Sequence, residues 1–202
     1  MDFIIDLDGT LLDTKRCMMK ALKVSFERFE IEVPINLEDI VKDPSIMFQN
    51  EKISRFSDRK LSDFLECYRL SYIRCRRDEA QLFSGVMETL AYLKNKGSHL
   101  FCISSMSYKD TKEKLKDLKI DHYFLDVLGT DSLKVYKPSE DVVKHLVSKY
   151  QLDLCNLWMV GDGIGDIKMA KQAGIQSIAM LSGVMDSALN WLTSLGIYDL
   201  KT

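Results

Sequence analysis

Short apolar runs alternate with helix-like segments over the second half of the chain, and this alternation constrains the fold more than any other feature. After the helical pattern of "LFSGVMETLAYLKNKG", the runs are "HLFCIS", "YFLDVLG", "LWMVGD" and "SIAML". One further apolar run, residues 2–7, opens the chain. Strands that alternate with helices are typical of a mostly parallel sheet wrapped by helices. We therefore predict an α/β core with a doubly wound, mostly parallel sheet.

A long helical stretch separates the first strand from the rest of this alternation. "KRCMMKALKVSFERFEIE" has apolar residues near helical spacing and is expected to end at Pro34, and "DRKLSDFLECYRLSYIRCRRDE" repeats the pattern. The part between them, "INLEDIVKDPSIMFQNEKIS", is expected to be irregular. We predict an all-helical domain, residues 14–82, inserted into a core formed by residues 1–13 and 83–202. The run "RCRRDE" would be the exposed end of its last helix.

The composition excludes several classes of protein. Hydrophobic residues make up 46% and charged residues 29% of the 202 residues, and the formal net charge of −2 gives no basis for binding nucleic acid or an anionic membrane. No apolar run reaches the roughly 18 residues of a membrane span. We do not expect secretion, because the N-terminus lacks the basic segment followed by an apolar stretch that would indicate it. Five scattered cysteines without a CxxC pair argue against a disulfide framework or structural zinc. We expect a cytoplasmic monomer or homodimer with reduced, mostly buried thiols.

Polar residues stand directly after the apolar runs, or in the loop before a predicted helix. They are Asp6 and Asp8, Ser104 and Ser105, Lys137, and Asp162 and Asp166. In doubly wound sheets, ligands bind just beyond the carboxyl ends of the strands. We therefore expect these residues to meet at one edge of the sheet.

The four carboxylates at this edge would repel each other strongly, because like charges a few ångströms apart interact strongly at low dielectric. A hard divalent cation relieves that repulsion, and oxygen-rich sites with room for water suit Mg²⁺. Lys137 adds a second positive charge, and Ser104 adds a hydroxyl donor. The residues therefore predict a magnesium site, formed by Asp6, Asp8, Asp162 and Asp166. Such a site would bind and transfer a phosphoryl group.

Four short motifs in this chain resemble, in order and spacing, those of the haloacid dehalogenase superfamily. "DLDGT" is similar to the first motif, D-x-D-G-T, and "CISS" to the second, an apolar run that ends in a hydroxyl residue. "YKP" is similar to the lysine-bearing third motif, and "VGDGIGD" to the fourth, G-D-x-x-x-D. The resemblance covers the whole chain and is to phosphatases with a helical cap after the first strand. In layout, the chain resembles phosphoglycolate phosphatases most.

The resemblance implies a role for each residue of these motifs. Asp6 would be the nucleophile that forms an aspartyl-phosphate. Asp8 would be the general acid and then the general base, and its backbone carbonyl would also bind Mg²⁺. Asp162 would bind the metal directly, and Asp166 directly or through water and Lys137.

The resemblance also implies which residues contact the substrate, a small phosphorylated metabolite. The phosphate-binding residues would be Gly9, Thr10, Ser104, Ser105 and Lys137, and Ser104 and Lys137 would also take part in catalysis. A loop early in the cap, "KDPSIMFQN", would select the leaving group. Its candidate residues are Met47, Phe48 and Gln49.

Two other functions remain open at this point. A sugar phosphomutase uses the same kind of site, although such mutases often carry valine where Thr10 stands here. A non-catalytic binding protein that keeps the fold is the second alternative, and the complete set of catalytic residues weighs against it. Taken singly, each motif also has a simpler explanation, such as a turn at Asp8-Gly9 or a solvated Lys137.

Overall fold

A five-stranded parallel sheet forms the centre of the molecule in the computed structural model, which describes residues 1–42 and 45–181. The strands along the chain are β1 (Asp2–Asp6), β2 (Leu12–Asp13), β3 (Gln81–Leu82), β4 (Leu100–Ile103), β5 (Asp126–Leu128), β6 (Leu157–Gly161) and β7 (Gln176–Ala179). The sheet has the order β5-β4-β1-β6-β7, and each neighbouring pair in it is parallel. Because the chain extends the sheet first to one side of β1 and then to the other, the predicted doubly wound fold class is confirmed.

The described part of the chain also contains nine α-helices. They are α1 (Lys15–Arg28), α2 (Leu37–Lys42), α3 (Ser45–Phe48), α4 (Glu51–Ser54), α5 (Asp58–Glu79), α6 (Val86–Asn95), α7 (Tyr108–Asp117), α8 (Asp141–Tyr150) and α9 (Ile164–Ala173). Helices α1 to α5 form one helical segment between β2 and β3, and α6 to α9 alternate with the strands of the sheet. The described helices include none with the length and apolar character needed to span a membrane.

The first helix ends earlier than the sequence predicted, and the stretch after it is more regular. Helix α1 ends at Arg28 rather than near Pro34, because Glu30 adopts a left-handed backbone with φ of 56°. The amide of Ile31 then bonds the carbonyl of Phe26 at 2.9 Å, and this turn brings Ile31 into the apolar core of the helical segment. The stretch expected to be irregular contains the short helices α2, α3 and α4.

Separate apolar cores lie on the two faces of the sheet and inside the helical segment. Successive residues of β1 point to opposite faces, so Phe3 and Ile5 pack in one core and Ile4 packs in the other. The helical segment has its own core, in which the rings of Phe26 and Phe64 meet edge to face at 5.7 Å. An independent core supports the predicted inserted domain, whose boundaries at residues 14 and 82 stay a prediction. The part of the predicted core from residue 182 onward lies outside the described residues.

The chain enters and leaves the helical segment at one place. Strands β2 and β3 pair antiparallel there, with Leu12 opposite Leu82 and Asp13 opposite Gln81. Helix α1 follows β2 and α5 precedes β3, and the two helices pack against each other, with Arg76 of α5 in contact with Asp8 after β1. All five cysteines are free, and Cys155 is the exposed one, as the prediction of mostly buried thiols requires.

Candidate active site

Asp6 is the last residue of β1, and its side chain is buried at the carboxyl edge of the sheet. The chain then turns away sharply through Gly9, whose φ of +90° is a conformation that side-chain-bearing residues rarely adopt. The turn also has a steric requirement, because a Cβ atom at Gly9 would lie 2.3 Å from Oδ2 of Asp162. Gly9 therefore allows the loop after β1 to approach the loop after β6.

Three buried carboxylates meet at this edge. One oxygen each from Asp6, Asp162 and Asp166 lies within 4.8 Å of the others, and the three residues are only 3%, 5% and 2% exposed. Asp162 follows β6, and Asp166 lies in the first turn of α9, where it accepts a hydrogen bond from the amide of Gly163 at 3.1 Å. Two neighbouring strand ends thus bring together residues more than 150 positions apart.

Lys137 and Thr10 make the polar contacts of this cluster. The Nζ atom of Lys137 lies 2.5 Å from Oδ1 of Asp6 and 2.9 Å from Oδ1 of Asp166. Burial alone would lower the pKa of Lys137, but Asp6 and Asp166 raise it, so the ammonium stays charged. The hydroxyl of Thr10 lies 3.1 Å from Oδ2 of Asp6 and 3.3 Å from Oδ1 of Asp162, and it can donate to either.

Burial and the neighbouring charges change the ionisation of Asp6. The pKa of Asp6 is raised to about 8, mainly by burial; Lys137 opposes this rise, and Asp166 and Asp162 add to it. Asp6, Asp162 and Asp166 therefore repel one another when they are ionised. Their oxygens are the kind of ligand that a hard divalent cation prefers, and such a cation would reduce the repulsion.

Asp8 lies outside this cluster, and its carboxylate faces the helical segment. Oδ1 accepts a hydrogen bond from the Nε of Arg76 and lies 3.2 Å from the hydroxyl of Tyr72, both on α5. Oδ2 lies 3.1 Å from the hydroxyl of Ser104, which in turn accepts a hydrogen bond from the amide of Met106. Asp8 is therefore held from the sheet on one side and from α5 on the other.

The prediction that "RCRRDE" is an exposed helix end is correct for Arg74 and residues 77–79 and wrong for Cys75 and Arg76, which are buried. Arg76 is 3% exposed and forms an ion pair with Asp8. Burial alone would lower the pKa of the Arg76 guanidinium, but Asp8 raises it, so the guanidinium stays charged. A signal for this was present, because Tyr68, Tyr72 and Arg76 follow one another at a spacing of four and so share one face of α5.

A cavity of about 430 Å³ extends from the carboxylates toward the helical segment. From the predicted site its lining includes Asp6, Asp8, Ser105, Lys137, Asp162, Asp166, Met47 and Phe48. Gly9, Thr10 and Ser104 do not line the cavity, although Thr10 contacts Asp6 and Ser104 contacts Asp8, which do. Gln49 is exposed and does not line the cavity.

The fold and the site define a class of protein: a parallel α/β protein that gathers buried carboxylates at the ends of its strands. The model of the family described as "Haloacid dehalogenase-like hydrolase" matches residues 3–180, and the chain belongs to that family. A solved haloacid dehalogenase-like hydrolase from Streptococcus pneumoniae superimposes over 98% of both chains, with a TM-score of 0.76. At 23% identity that likeness concerns the fold alone.

Two curated relatives narrow the type of enzyme. The phosphoglycolate phosphatase of Neisseria meningitidis is 32% identical over 191 residues, which cover 91% of this chain and 81% of that protein. The pyrophosphatase PpaX of Listeria monocytogenes is 27% identical over 173 residues, which cover 84% of this chain and 78% of that protein. Within its family, the chain is thus an enzyme of the phosphatase type, similar to phosphoglycolate phosphatases.

Proposed function

We propose that the protein is a Mg²⁺-dependent phosphatase that hydrolyses a small-molecule phosphate monoester through an aspartyl-phosphate on Asp6. One observation carries the proposal. Asp6 lines the cavity, is paired with Lys137 and lies beside two further carboxylates that can share a cation with it. A carboxylate in this position can attack phosphorus, while the positive charges bind the phosphate oxygens.

The contacts of Asp6 suit it to act as the nucleophile. Lys137 holds one of its oxygens and Thr10 lies within hydrogen-bond distance of the other, so that the carboxylate has a fixed orientation. Asp162, Asp166, Asp6 and the backbone carbonyl of Asp8 would hold Mg²⁺. The ion would supply Lewis-acid stabilisation of the phosphoryl oxygens.

Asp8 would transfer the protons of the reaction. It would donate a proton to the leaving oxygen and later accept one from the water that hydrolyses the aspartyl-phosphate. Tyr72, Arg76 and Ser104 would keep its carboxylate in place. Because Ser105 and not Ser104 lines the cavity, we assign the phosphate contact to Ser105 and the positioning of Asp8 to Ser104.

We further propose that residues 14–82 act as a cap that closes over a small phosphorylated metabolite. Met47 and Phe48 line the cavity and would contact the leaving group. The mutase alternative has less support, because the hydroxyl of Thr10 lies within hydrogen-bond distance of Asp6 and Asp162 and a valine could not make those contacts. We propose a cytoplasmic monomer or homodimer.

The test is phosphate release from p-nitrophenyl phosphate and from a panel of phosphorylated metabolites in the presence of Mg²⁺. Asp6→Asn should lower kcat by at least about a thousandfold with an unchanged circular dichroism spectrum, because it removes the attacking carboxylate. EDTA should stop the reaction, Mg²⁺ should restore it, and beryllium fluoride should inhibit it as a mimic of the aspartyl-phosphate.

A matched control is Asp117→Asn, which changes an exposed acid on α7 and should leave kcat unchanged. Full activity of Asp6→Asn would overturn the assignment of the nucleophile. Activity that persists in EDTA after dialysis would overturn the requirement for the metal.

A further inference from the structure

The cavity changes character along its length. Among the side chains that the structure describes, every charged one that lines it comes from the sheet end: Asp6, Asp8, Lys137, Asp162 and Asp166. The opposite wall comes from α1, α2, α3 and α5 and consists of methionine, leucine, isoleucine, valine, phenylalanine and tyrosine side chains. The part of the cavity that faces the leaving group is therefore apolar.

Several of these apolar side chains are incompletely covered by the protein itself. Phe48 and Leu65 are 45% and 40% exposed, although both are large and line the cavity. Burial raises the pKa of the Tyr68 hydroxyl on the same wall to about 12, which indicates an environment hostile to negative charge. A ligand that covers these side chains would gain free energy by removing their surface from water.

We infer, on the basis of the proposed phosphatase function, that the substrate is a phosphate monoester whose alcohol part is uncharged and largely apolar. The phosphate would lie at the carboxylate end, and the alcohol part would lie between Phe48, Leu65 and Tyr68. The volume of about 430 Å³ falls in the range of roughly 300–1,000 Å³ that is usual for small-molecule sites.

A second acidic group on the substrate would be poorly accommodated on this wall. The glycolate part of phosphoglycolate carries a carboxylate, and pyrophosphate carries a second phosphate group. Either group would lose its hydration against apolar side chains, and the one cation that lines the cavity, among the side chains described, is Lys137 at the other end. The substrates in the names of the relatives therefore fit this wall less well than an alkyl or aryl phosphate does.

The inference is tested by kcat/KM for ethyl, butyl and hexyl phosphate and for 2-phosphoglycolate, all with Mg²⁺. We expect kcat/KM to rise about fourfold for each methylene that enters the cavity. Hexyl phosphate should be at least about tenfold better than 2-phosphoglycolate. Phosphate release with a flat chain-length series, or with a preference for 2-phosphoglycolate, would overturn the apolar assignment and leave the phosphatase function standing.

A charge introduced on the wall should reverse the preference. Leu65→Lys should lower kcat/KM for hexyl phosphate and raise it for 2-phosphoglycolate, because it places an ammonium beside the leaving group. Leu70→Lys, on the same helix but 54% exposed and outside the cavity, should change neither value. An unchanged preference in Leu65→Lys would count against the proposed position of the alcohol part.

Binding without turnover separates this inference from the function on which it rests. Calorimetric titration of the Mg²⁺-loaded protein compares hexylphosphonate with 3-phosphonopropionate, neither of which can be hydrolysed. Tighter binding of hexylphosphonate would support the apolar site. If, in addition, no ester released phosphate, the phosphatase proposal would fail while the apolar site would stand. Tighter binding of 3-phosphonopropionate would overturn the apolar site.

Discussion

Single residues set how closely the parts of the site approach one another, and Gly9 does so by having no side chain. The carboxylate of Asp162 occupies the space that a Cβ atom at this position would need. The backbone at Gly9 also has a φ of +90°, which any other residue would adopt only under strain. Gly9 is thus a requirement of the proposed metal site, although it contributes no ligand.

Gly9→Ala should reduce the affinity for Mg²⁺ by at least about tenfold, because Asp162 must move away from the new methyl group. The backbone strain should also lower the free energy of unfolding by about 1–3 kcal/mol. The measurements are the Mg²⁺ dependence of activity and urea denaturation. Gly85→Ala is a matched control, since Gly85 has a φ of +82° but no atom within 4 Å of an added Cβ. It should lose stability and keep its Mg²⁺ affinity, and an equal loss of affinity in both variants would contradict the steric role of Gly9.

At the scale of the element, α5 links the helical segment to the chemistry of the core. Tyr72 and Arg76 are one turn apart on this helix, and both contact Oδ1 of Asp8. The ion pair is removed from solvent, with side-chain exposures of 3% for Arg76 and 12% for Asp8. Such a pair is costly to break, because the partner that remains is a buried charge without compensation.

Arg76→Met should therefore lower the free energy of unfolding by about 3–5 kcal/mol. In an Asp8→Asn background the same change should cost much less, since no carboxylate is left without its partner. Chemical denaturation of the four proteins forms a double-mutant cycle that measures the coupling. Arg77→Met provides the control, because Arg77 is the next residue but is largely exposed, and it should change stability by less than about 0.5 kcal/mol. Additive effects of Asp8→Asn and Arg76→Met would argue against the ion pair.

The sequence was sufficient to predict the five strands of the central sheet and the acids at their ends, because both signals are local; the short strands β2 and β3 were not predicted. An apolar run predicts its strand, and the position of Asp6 or Asp162 directly after such a run places it at the edge of the sheet. The role of Arg76 is not local, since it depends on how α5 packs over the loop after β1. The turn at Glu30 is not a local signal either. It depends on the burial of Ile31 in the core of the helical segment, whereas the sequence pattern alone favoured a longer helix.

On the scale of the whole molecule, the proposed metal should affect the stability of the fold. Asp6, Asp162 and Asp166 are buried together, and the charges of Asp166 and Asp162 raise the pKa of Asp6, which shows that these carboxylates repel one another. A cation bound in the folded state and not in the unfolded chain stabilises the fold by mass action. The metal should therefore contribute to folding as well as to the proposed reaction.

At a Mg²⁺ concentration about 100 times the Kd, the Tm should rise by about 5–10 °C, as expected for a stabilisation of about 2.7 kcal/mol in a chain of this size. Asp162→Asn should change the Tm in two ways. It should raise the Tm in EDTA, because it removes a charge that repels Asp6. It should also abolish most of the rise of the Tm with Mg²⁺, because it removes a proposed ligand. Scanning calorimetry measures both, with Asp117→Asn as an exposed acid that should alter neither. A lower Tm of Asp162→Asn in EDTA would contradict the repulsion argument.

The ribbon of β2 and β3 joins the two halves of the protein by a pair of adjacent chain crossings. If the proposed cap opens, a rotation about this ribbon would be the motion that the two adjacent crossings permit most easily. Tyr72 and Arg76 contact Asp8 from the cap side, so such an opening would also withdraw both from Asp8. Entry of the substrate and full support of Asp8 would then belong to different steps of the proposed cycle.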